Sequence, residues 1–336
     1  MINDGHLVIS LDFELHWGVF DVRTVKSYEV NLLQVRPVIT RLLELADAYD
    51  IKLTFSTVGF LFAENKEELK KYLPKNKPTY KNQKLSPYPL LDSIADTESE
   101  DPFHYAKSVV DQIKNNGKHE IGTHTFSHYY CHELGQTVEQ FEDDLKSAIA
   151  IAKSMDISLE SIVFPRNMIN TDDLCDEPYL NVCYNNGIKS FRGKKKAYMY
   201  NVHATKFYHN WYIFKLLRIT DAYFNVSGLN TYKVEKFYQK NKILNLPASI
   251  LLRKHSSLLS FIEPLKTKRI KRGMKYAARH NEMFHIWFHP HNFGTHTDKN
   301  FKNLEMIFKH YKELNKKYGF KSETMTGLTN KMISKH

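Results

Sequence analysis

Cysteine is scarce in this 336-residue chain: three residues, Cys131, Cys175 and Cys183, with no CxxC spacing. An odd count without paired spacing excludes a disulfide framework and points to a reducing compartment. No apolar run approaches the ~18 residues needed to span a bilayer. The start, Met1-Ile-Asn-Asp-Gly-His6, lacks basic residues, and the apolar stretch at 7–11 is too short for a signal-peptide core. A cytoplasmic protein is therefore expected, with peripheral contact to the inner membrane face left open. There is no internal repeat, no low-complexity tail and no recognisable nucleic-acid-binding motif, so nucleic acid is not an expected partner. Acidic residues are also in deficit: 37 against 48 Lys and Arg, a net charge of +11 and a pI near 9.2. Such a balance favours phosphorylated substrates or anionic lipid headgroups. Its densest cluster is Lys266, Lys268, Arg269, Lys271, Arg272, Lys275 and Arg279, which reads equally as one solvated helix face.

A hydrophobic content of 42% provides for a sizeable core. Residues 7–11 (Leu-Val-Ile-Ser-Leu) read as a buried strand running into Asp12-Phe-Glu14. Helical periodicity over 31–49, with Asn31 as N-cap, leads to a second strand at 51–57; strand, helix, strand implies a parallel pair. Residues 65–101, with Pro74, Pro78, Pro87 and Pro89 among polar residues, read as an inserted excursion. Further helices are expected at 103–115, from Thr137 to about 154, and at 172–185. Further strands are expected at 119–123, 161–164 and 187–191. Residues 194–235 resist assignment. Residues 243–251 are strand-like apart from Pro247, which suggests an edge. After a basic helix, residues 283–289 form a clear strand ending in His289-Pro-His291, followed by a helix at 299–317 and a strand at 320–325. Repeated strand–helix units with polar residues just after the strands predict a distorted (β/α) barrel. The whole of 1–336 is expected to be one domain, with insertions near 65–101 and 194–280 and chemistry at the carboxyl ends of the strands.

Chemistry-bearing residues gather at four of those ends. In Gly117-Lys-His-Glu-Ile-Gly-Thr-His-Thr-Phe-Ser-His128, His124 and His128 stand four apart, on one side of either a helix or a strand. That is a half-site for a divalent metal, although the glutamate of the zincin motif is missing. Gly122 is expected to allow backbone that a Cβ would hinder. Asp12 and Glu14 follow the first strand, Arg166 follows Pro165, and His289 and His291 close the late strand. A carboxylate at the end of an apolar strand is costly unless paired or metal-bound. Each residue alone has a structural explanation: a cap, an ion pair, a satisfied core histidine. Together they supply ligands, a base, an acid and an orienting cation, as metal-assisted hydrolysis requires.

Asp12-Phe-Glu14 after a strand, His124-Thr-Phe-Ser-His128, Pro165-Arg166 and the strand ending at His289 together resemble the polysaccharide deacetylases with a NodB-type catalytic domain. Residues 51–59 resemble that family's second strand, and the resemblance spans about 6–329, least at 65–101 and 194–280. It implies an α/β distorted barrel and a hydrolase that removes acetyl groups from N-acetylated sugars with a divalent metal, most often zinc. Carried over by position, Asp12 would be the base, His289 the acid and Arg166 the group orienting Asp12; His124 and His128 would be ligands. Two departures stand out. Phe13 separates Asp12 from Glu14 where the family has adjacent aspartates, so the third ligand is Glu14 or Asp12. Pro165 also precedes Arg166, the reverse of the family's order. His291 competes with His289 for the acid role and otherwise lies on the substrate side, with Trp17, Trp211 or Trp287 available to stack sugar rings.

An N-acetylated saccharide, nucleotide- or lipid-linked, is the expected substrate. The alternatives are hydrolysis of another linear or cyclic amide on the same fold, or a silent carbohydrate-binding protein.

Overall fold

In the computed structural model, residues 4–169, 171, 174–195, 200 and 211–335 are described; the parts of the expected helix at 172–185 and of the region 194–235 that fall outside these are not considered further. The chain runs β1 (His6–Phe13), α1 (Val25–Leu33), α2 (Val35–Ala48), β2 (Thr54–Thr57), α3 (Lys66–Lys71), α4 (Lys107–Asn116) and β3 (Glu120–Thr123). It continues through α5 (Val138–Ser154), β4 (Ser161–Ile162), α6 (Glu177–Asn185), β5 (Ser190–Phe191), α7 (Trp211–Phe224), β6 (Leu244–Asn245) and β7 (Ile250–Leu251). Last come α8 (Glu263–His280), β8 (Met283–Phe288), α9 (Thr297–Tyr318), β9 (Lys321–Glu323) and α10 (Met325–Ile333).

The strands form one sheet in the order β6-β5-β4-β3-β2-β1-β8-β7, with β9 also on β1. Every strand pairing is parallel. β1 is the axis: its first half lies between β8 and β9 and its second half between β8 and β2. It is buried over its full length, as a parallel strand covered by helices must be. The two ends of the sheet, β6 and β7, are joined by only Leu246–Ser249. Leu246 and Ala248 donate backbone hydrogen bonds to Phe191 at the end of β5 and to Gly193 beyond it, and Ser249 then donates to His285 on β8. The sheet is therefore curled until its ends meet through the chain itself, the distorted (β/α) barrel expected from the strand–helix pattern. The 243–251 stretch is accordingly two short strands at opposite ends of the sheet, parted at Pro247, which has no N–H to carry a ladder onward.

Two more elements differ from expectation. The helix read at 31–49 is two helices meeting at Gln34, and Thr24, not Asn31, caps the first by accepting from the Ser27 amide. The 65–101 stretch is largely irregular but not loose: Tyr80, Leu85, Tyr88, Leu91 and Ile94 are buried, and Glu98 pairs with Arg36 on α2 at 2.9 Å. α5 is held at its start by a full capping box between Thr137 and Gln140. No helix among the described residues is long and apolar enough to cross a membrane.

Candidate active site

The end of β3 and the turn after it present His124 and His128, and the end of β1 presents Glu14. Glu14 Oε2 lies 3.3 Å from Nε2 of each imidazole, and all three side chains are buried. Ligand bonds of about 2.0–2.1 Å at a tetrahedral centre place neighbouring donors about 3.3 Å apart, so the cluster has the dimensions of a zinc-type half-cage. The other ring nitrogens support this. His124 Nδ1 lies 2.7 Å from the Val163 carbonyl, which can only accept, so Nδ1–H donates there and Nε2 is the nitrogen turned to Glu14. His128 Nδ1 is 3.1 Å from the Tyr130 hydroxyl. Burial pushes the His128 imidazole below its ordinary pKa, towards the neutral form a ligand needs. Burial alone would raise Glu14, but His289, His124 and His128 hold it well below the usual carboxylate value. Two imidazoles and a carboxylate are a donor set for a divalent first-row ion.

Local backbone makes this convergence possible. Leu15, Thr125 and His128 all adopt left-handed φ, 46°, 64° and 59°, an uncommon conformation for side chains of this size. Gly18 is required by Glu14 itself: a Cβ there would stand 1.9 Å from the Glu14 carboxyl carbon. Asp144 on α5 holds the histidine turn from behind, accepting from the amides of Phe126 and Ser127 at 2.7 and 3.2 Å and from the Ser127 hydroxyl. The turn carrying Glu14 is tied to the end of the 65–101 excursion by a buried chain: His16 Nδ1 to His104 Nε2 at 2.9 Å, and His104 Nδ1 to Asp101 at 2.8 Å.

Beside the cluster lies an acid–base pair. Asp12 receives two hydrogen bonds from the fully buried Arg192, at 2.6 and 2.8 Å. Arg192 also donates to Ser10 Oγ at 3.0 Å and Asn167 at 3.2 Å, and its guanidinium sits 4.3 Å from the centre of the Trp287 ring. Burial would raise Asp12, yet the Arg192 charge and hydrogen bonds, together with His289 and His124, outweigh it and keep the carboxyl below its ordinary pKa. His289 Nε2 faces both carboxylates, 3.6 Å from Asp12 and 3.5 Å from Glu14. It retains partial exposure. His291 is more deeply placed, its Nδ1 4.0 Å from Glu14, and burial pushes it down to about 3, which keeps it neutral. Asn31, no helix cap, donates to the His291 carbonyl at 2.7 Å and so fixes the loop after β8.

Of the residues singled out in the sequence, six converge here: Asp12, Glu14, His124, His128, His289 and His291. Two do not. Arg166 does not touch Asp12; it pairs with Asp21 at 2.9 Å and with Glu133, over the Tyr130 ring. Its reversed order with Pro165 turns the chain through left-handed φ at both Arg166 and Asn167, which carries the guanidinium outward. Trp17 is fully buried, edge-on to Phe60, with its indole N–H on the His104 carbonyl, and offers no ring face to a sugar. Trp287, half-buried against Arg192 and 5.6 Å from the His289 ring, is the aromatic that borders the site. The side chain of Trp211 lies outside the described residues. Gly122 is needed for a reason other than the one expected: a Cβ would stand 2.5 Å from Ser161 Oγ on β4, so strand crowding excludes it.

The residue that sequence reasoning missed is Arg192. Its signal was a basic residue just past the strand at 187–191, the same strand-end position that marked the others.

Residues 31–172 match the family model described as polysaccharide deacetylase, a span that includes the histidine pair and leaves out Asp12, Glu14, Arg192 and His289. No curated protein matches the chain. Among solved structures, one described as a polysaccharide deacetylase from Mycobacterium smegmatis superposes with a TM-score of 0.61 at 11% identity, covering 99% of this chain and 92% of that one. The crystal structure of Puue allantoinase gives 0.56 at 11% identity, over 98% and 91%. A further structure described as a polysaccharide deacetylase, from Pseudomonas aeruginosa PAO1, gives 0.52 at 10% identity, over 98% and 91%. At such identities these likenesses speak for the shared fold.

Proposed function

We propose that this chain, a member of the polysaccharide deacetylase family by its match over residues 31–172, is a metal-dependent N-deacetylase of an N-acetylated sugar. The observation that carries this reading is the Glu14–His124–His128 cluster, with 3.3 Å donor spacings, facing an Asp12–His289 pair across the same cleft. A divalent ion, with zinc the best match to two imidazoles and a carboxylate, would polarise the acetamide carbonyl and acidify water when bound. The remaining work falls to side chains. Asp12, kept ionised and oriented by Arg192, accepts the proton of the water that adds to the carbonyl carbon. His289, opposite, delivers a proton to the amide nitrogen as the C–N bond breaks. Acetate and a free amine leave, and the atoms balance as one water consumed per acetyl group. His291 and Trp287 border the substrate side.

The reading extends to setting. The low, odd count of cysteines and the basic charge support a reducing compartment and an acidic, phosphate-bearing saccharide precursor as substrate. The test is acetate release from a panel of N-acetylated sugars, with and without chelator, alongside metal analysis of the purified chain. Release that stops on chelation and in Asp12→Asn is expected. A chain that opens a cyclic amide and frees no acetate would move the assignment to ring hydrolysis. One that binds sugars and turns none over would make it a binding protein.

A further inference from the structure

Residues 256–262, the loop that leads into α8, leave two large apolar side chains in solvent: Leu258 is 87% and Phe261 79% exposed. Fully burying a side chain of that size is worth about 10- to 100-fold in an equilibrium. The segment entering the loop is held in place. The His255 amide donates to Asn300 Oδ1 at 2.6 Å, Ser257 Oγ lies 3.2 Å from His296 Nε2, and Lys266 Nζ donates to the Lys254 carbonyl at 2.8 Å. His296 and Asn300 mark the start of α9, soon after β8 ends. The loop therefore sits on the carboxyl-end rim of the sheet, the rim that also carries His289.

Ser260 of this loop also lines a groove of about 580 Å³ between α8 and α9. Its walls carry Lys268, Lys271, Arg272 and Lys275 from α8 and Lys299 and Lys302 from α9. Spacings of three and four residues put the cations of each helix on one face, where like charges destabilise it. No described carboxylate pairs with any of the six. The one acid in the wall, Glu263, is buried and engaged with Lys266 at 2.8 Å and the Tyr223 hydroxyl at 3.0 Å. Elsewhere on α9, by contrast, Lys309 pairs with Glu305 at 2.9 Å and Lys312 with Asp50 at 2.5 Å.

The two features together select the partner. A soluble acidic chain would answer the cations and leave Leu258 and Phe261 in water, whereas an anionic bilayer offers phosphates and hydrocarbon at adjacent depths. We propose that this rim docks on an anionic phospholipid surface, with lipid phosphates in the α8–α9 groove and Leu258 and Phe261 at the acyl boundary. Because the loop shares its rim with His289, docking brings the cleft to the lipid–water interface. The contact involves no turnover, so it stands or falls apart from the deacetylase reading.

Sedimentation of the full chain with vesicles tests this, using phosphatidylcholine alone and phosphatidylcholine with about one third phosphatidylglycerol. Binding is expected to the anionic vesicles only, and it should weaken as salt rises from about 0.1 M to about 0.5 M. One charge near such a surface is worth about fivefold in affinity, so Lys268→Glu with Arg272→Glu should weaken binding by about tenfold or more. Leu258→Ser with Phe261→Ser should do the same, and thermal melts should match the parent because both side chains are exposed. The control is Lys316→Glu with Lys317→Glu, an equal charge change in the exposed last turn of α9. It lies about 25 Å along the helix from Lys299, beyond the Debye length, so about threefold or less is expected. No binding, equal binding to neutral vesicles, or an equal loss in the control overturns the proposal. Anionic binding untouched by the Leu258 and Phe261 variant, or matched by equal affinity for soluble polyglutamate, overturns the bilayer in favour of an acidic chain.

Discussion

Replacing Arg192 by Met is the most informative single perturbation, because it keeps side-chain bulk and removes one charge. The arginine is fully buried, holds both Asp12 oxygens at 2.6 and 2.8 Å, and has no route to solvent. Its loss leaves a buried carboxylate without a counter-ion, a change that costs about 3–5 kcal/mol in comparable pairs. With an unfolding entropy of ~2.1 cal/mol/K per residue, a loss of 4 kcal/mol lowers Tm by about 6 °C in a chain this long. Activity should fall by about 10²–10⁴, the range supplied by a positioned general base. Arg166→Met is the control. Arg166 is partly exposed and pairs with Asp21 and Glu133 at the rim, so about 1 kcal/mol and under 2 °C are expected. A double-mutant cycle with Asp12→Asn completes the set: Arg192→Met should cost far less when Asp12 is already neutral. Calorimetric melts and acetate assays read all four proteins. If Arg166→Met proves as damaging as Arg192→Met, or if the cycle shows no coupling, the assignment of Arg192 as the anchor of Asp12 is wrong.

Asp144→Ala orphans the two amides and one hydroxyl that hold the histidine turn. It should cost about 3–5 kcal/mol and weaken metal binding, and a Tm within 1 °C of the parent would contradict this account of the turn. His124→Ala should reduce bound divalent ion from about one per chain to a small fraction, whereas Arg166→Met should not; elemental analysis after dialysis decides between them. Stability should fall on acidification from pH 6.5. Burial holds His6 down at about 4 in the folded chain, so the stability carried by its neutral form is complete above the unfolded value of 6.5 and is lost as pH falls towards 4. That is about 3 kcal/mol from His6, with buried His285, pushed down to about 3, acting in the same direction. Denaturant melts that stay flat from pH 7 to pH 4.5 would refute it. Trp17→Phe should lower Tm without raising KM, since the lost hydrogen bond is to the His104 carbonyl in the core; a raised KM would restore Trp17 to the substrate side.

Strand ends were legible in the sequence because an apolar run that stops at a charge has few physical explanations. β1, β3 and β8 each announced themselves that way, and their terminal Asp12, Glu14, His124 and His289 meet in one cleft. Glu14 against Asp12 as the carboxylate between the histidines could not be read from spacing, since it depends on which way the backbone turns after Phe13. The left-handed Leu15 and the space left by Gly18 bring Glu14 back towards the histidines. Arg166 is expected beside Asp12, where Arg192 stands, because both follow short strands, and only the left-handed turn at Arg166 and Asn167 separates a guanidinium that points out from one that points in. The basic cluster on α8 was opaque for a similar reason. Lys266 and Arg269 turn inward to Glu263 and Asp221, Lys271 is half-buried, and Lys268, Arg272, Lys275 and Arg279 face solvent, whereas composition treats all seven alike.

β1 has a consequence for how the protein comes into being. β2, which flanks its second half, emerges soon after it, but β8, which pairs Val8 with His285 and Ile9 with Ile286, and β9, which flanks its first half, come much later. A nascent chain therefore holds its central strand half-dressed until β8 and β9 have been made, with apolar edges available to wrong partners. Loop closure over such a separation is slow, so the final rate of folding should be governed by the docking of β8 onto β1. Because His289 directly follows β8, the acid–base pair cannot exist before that strand has been made and docked. Assembly of the acid–base pair and the docking of β8 onto β1 are, in this topology, one event.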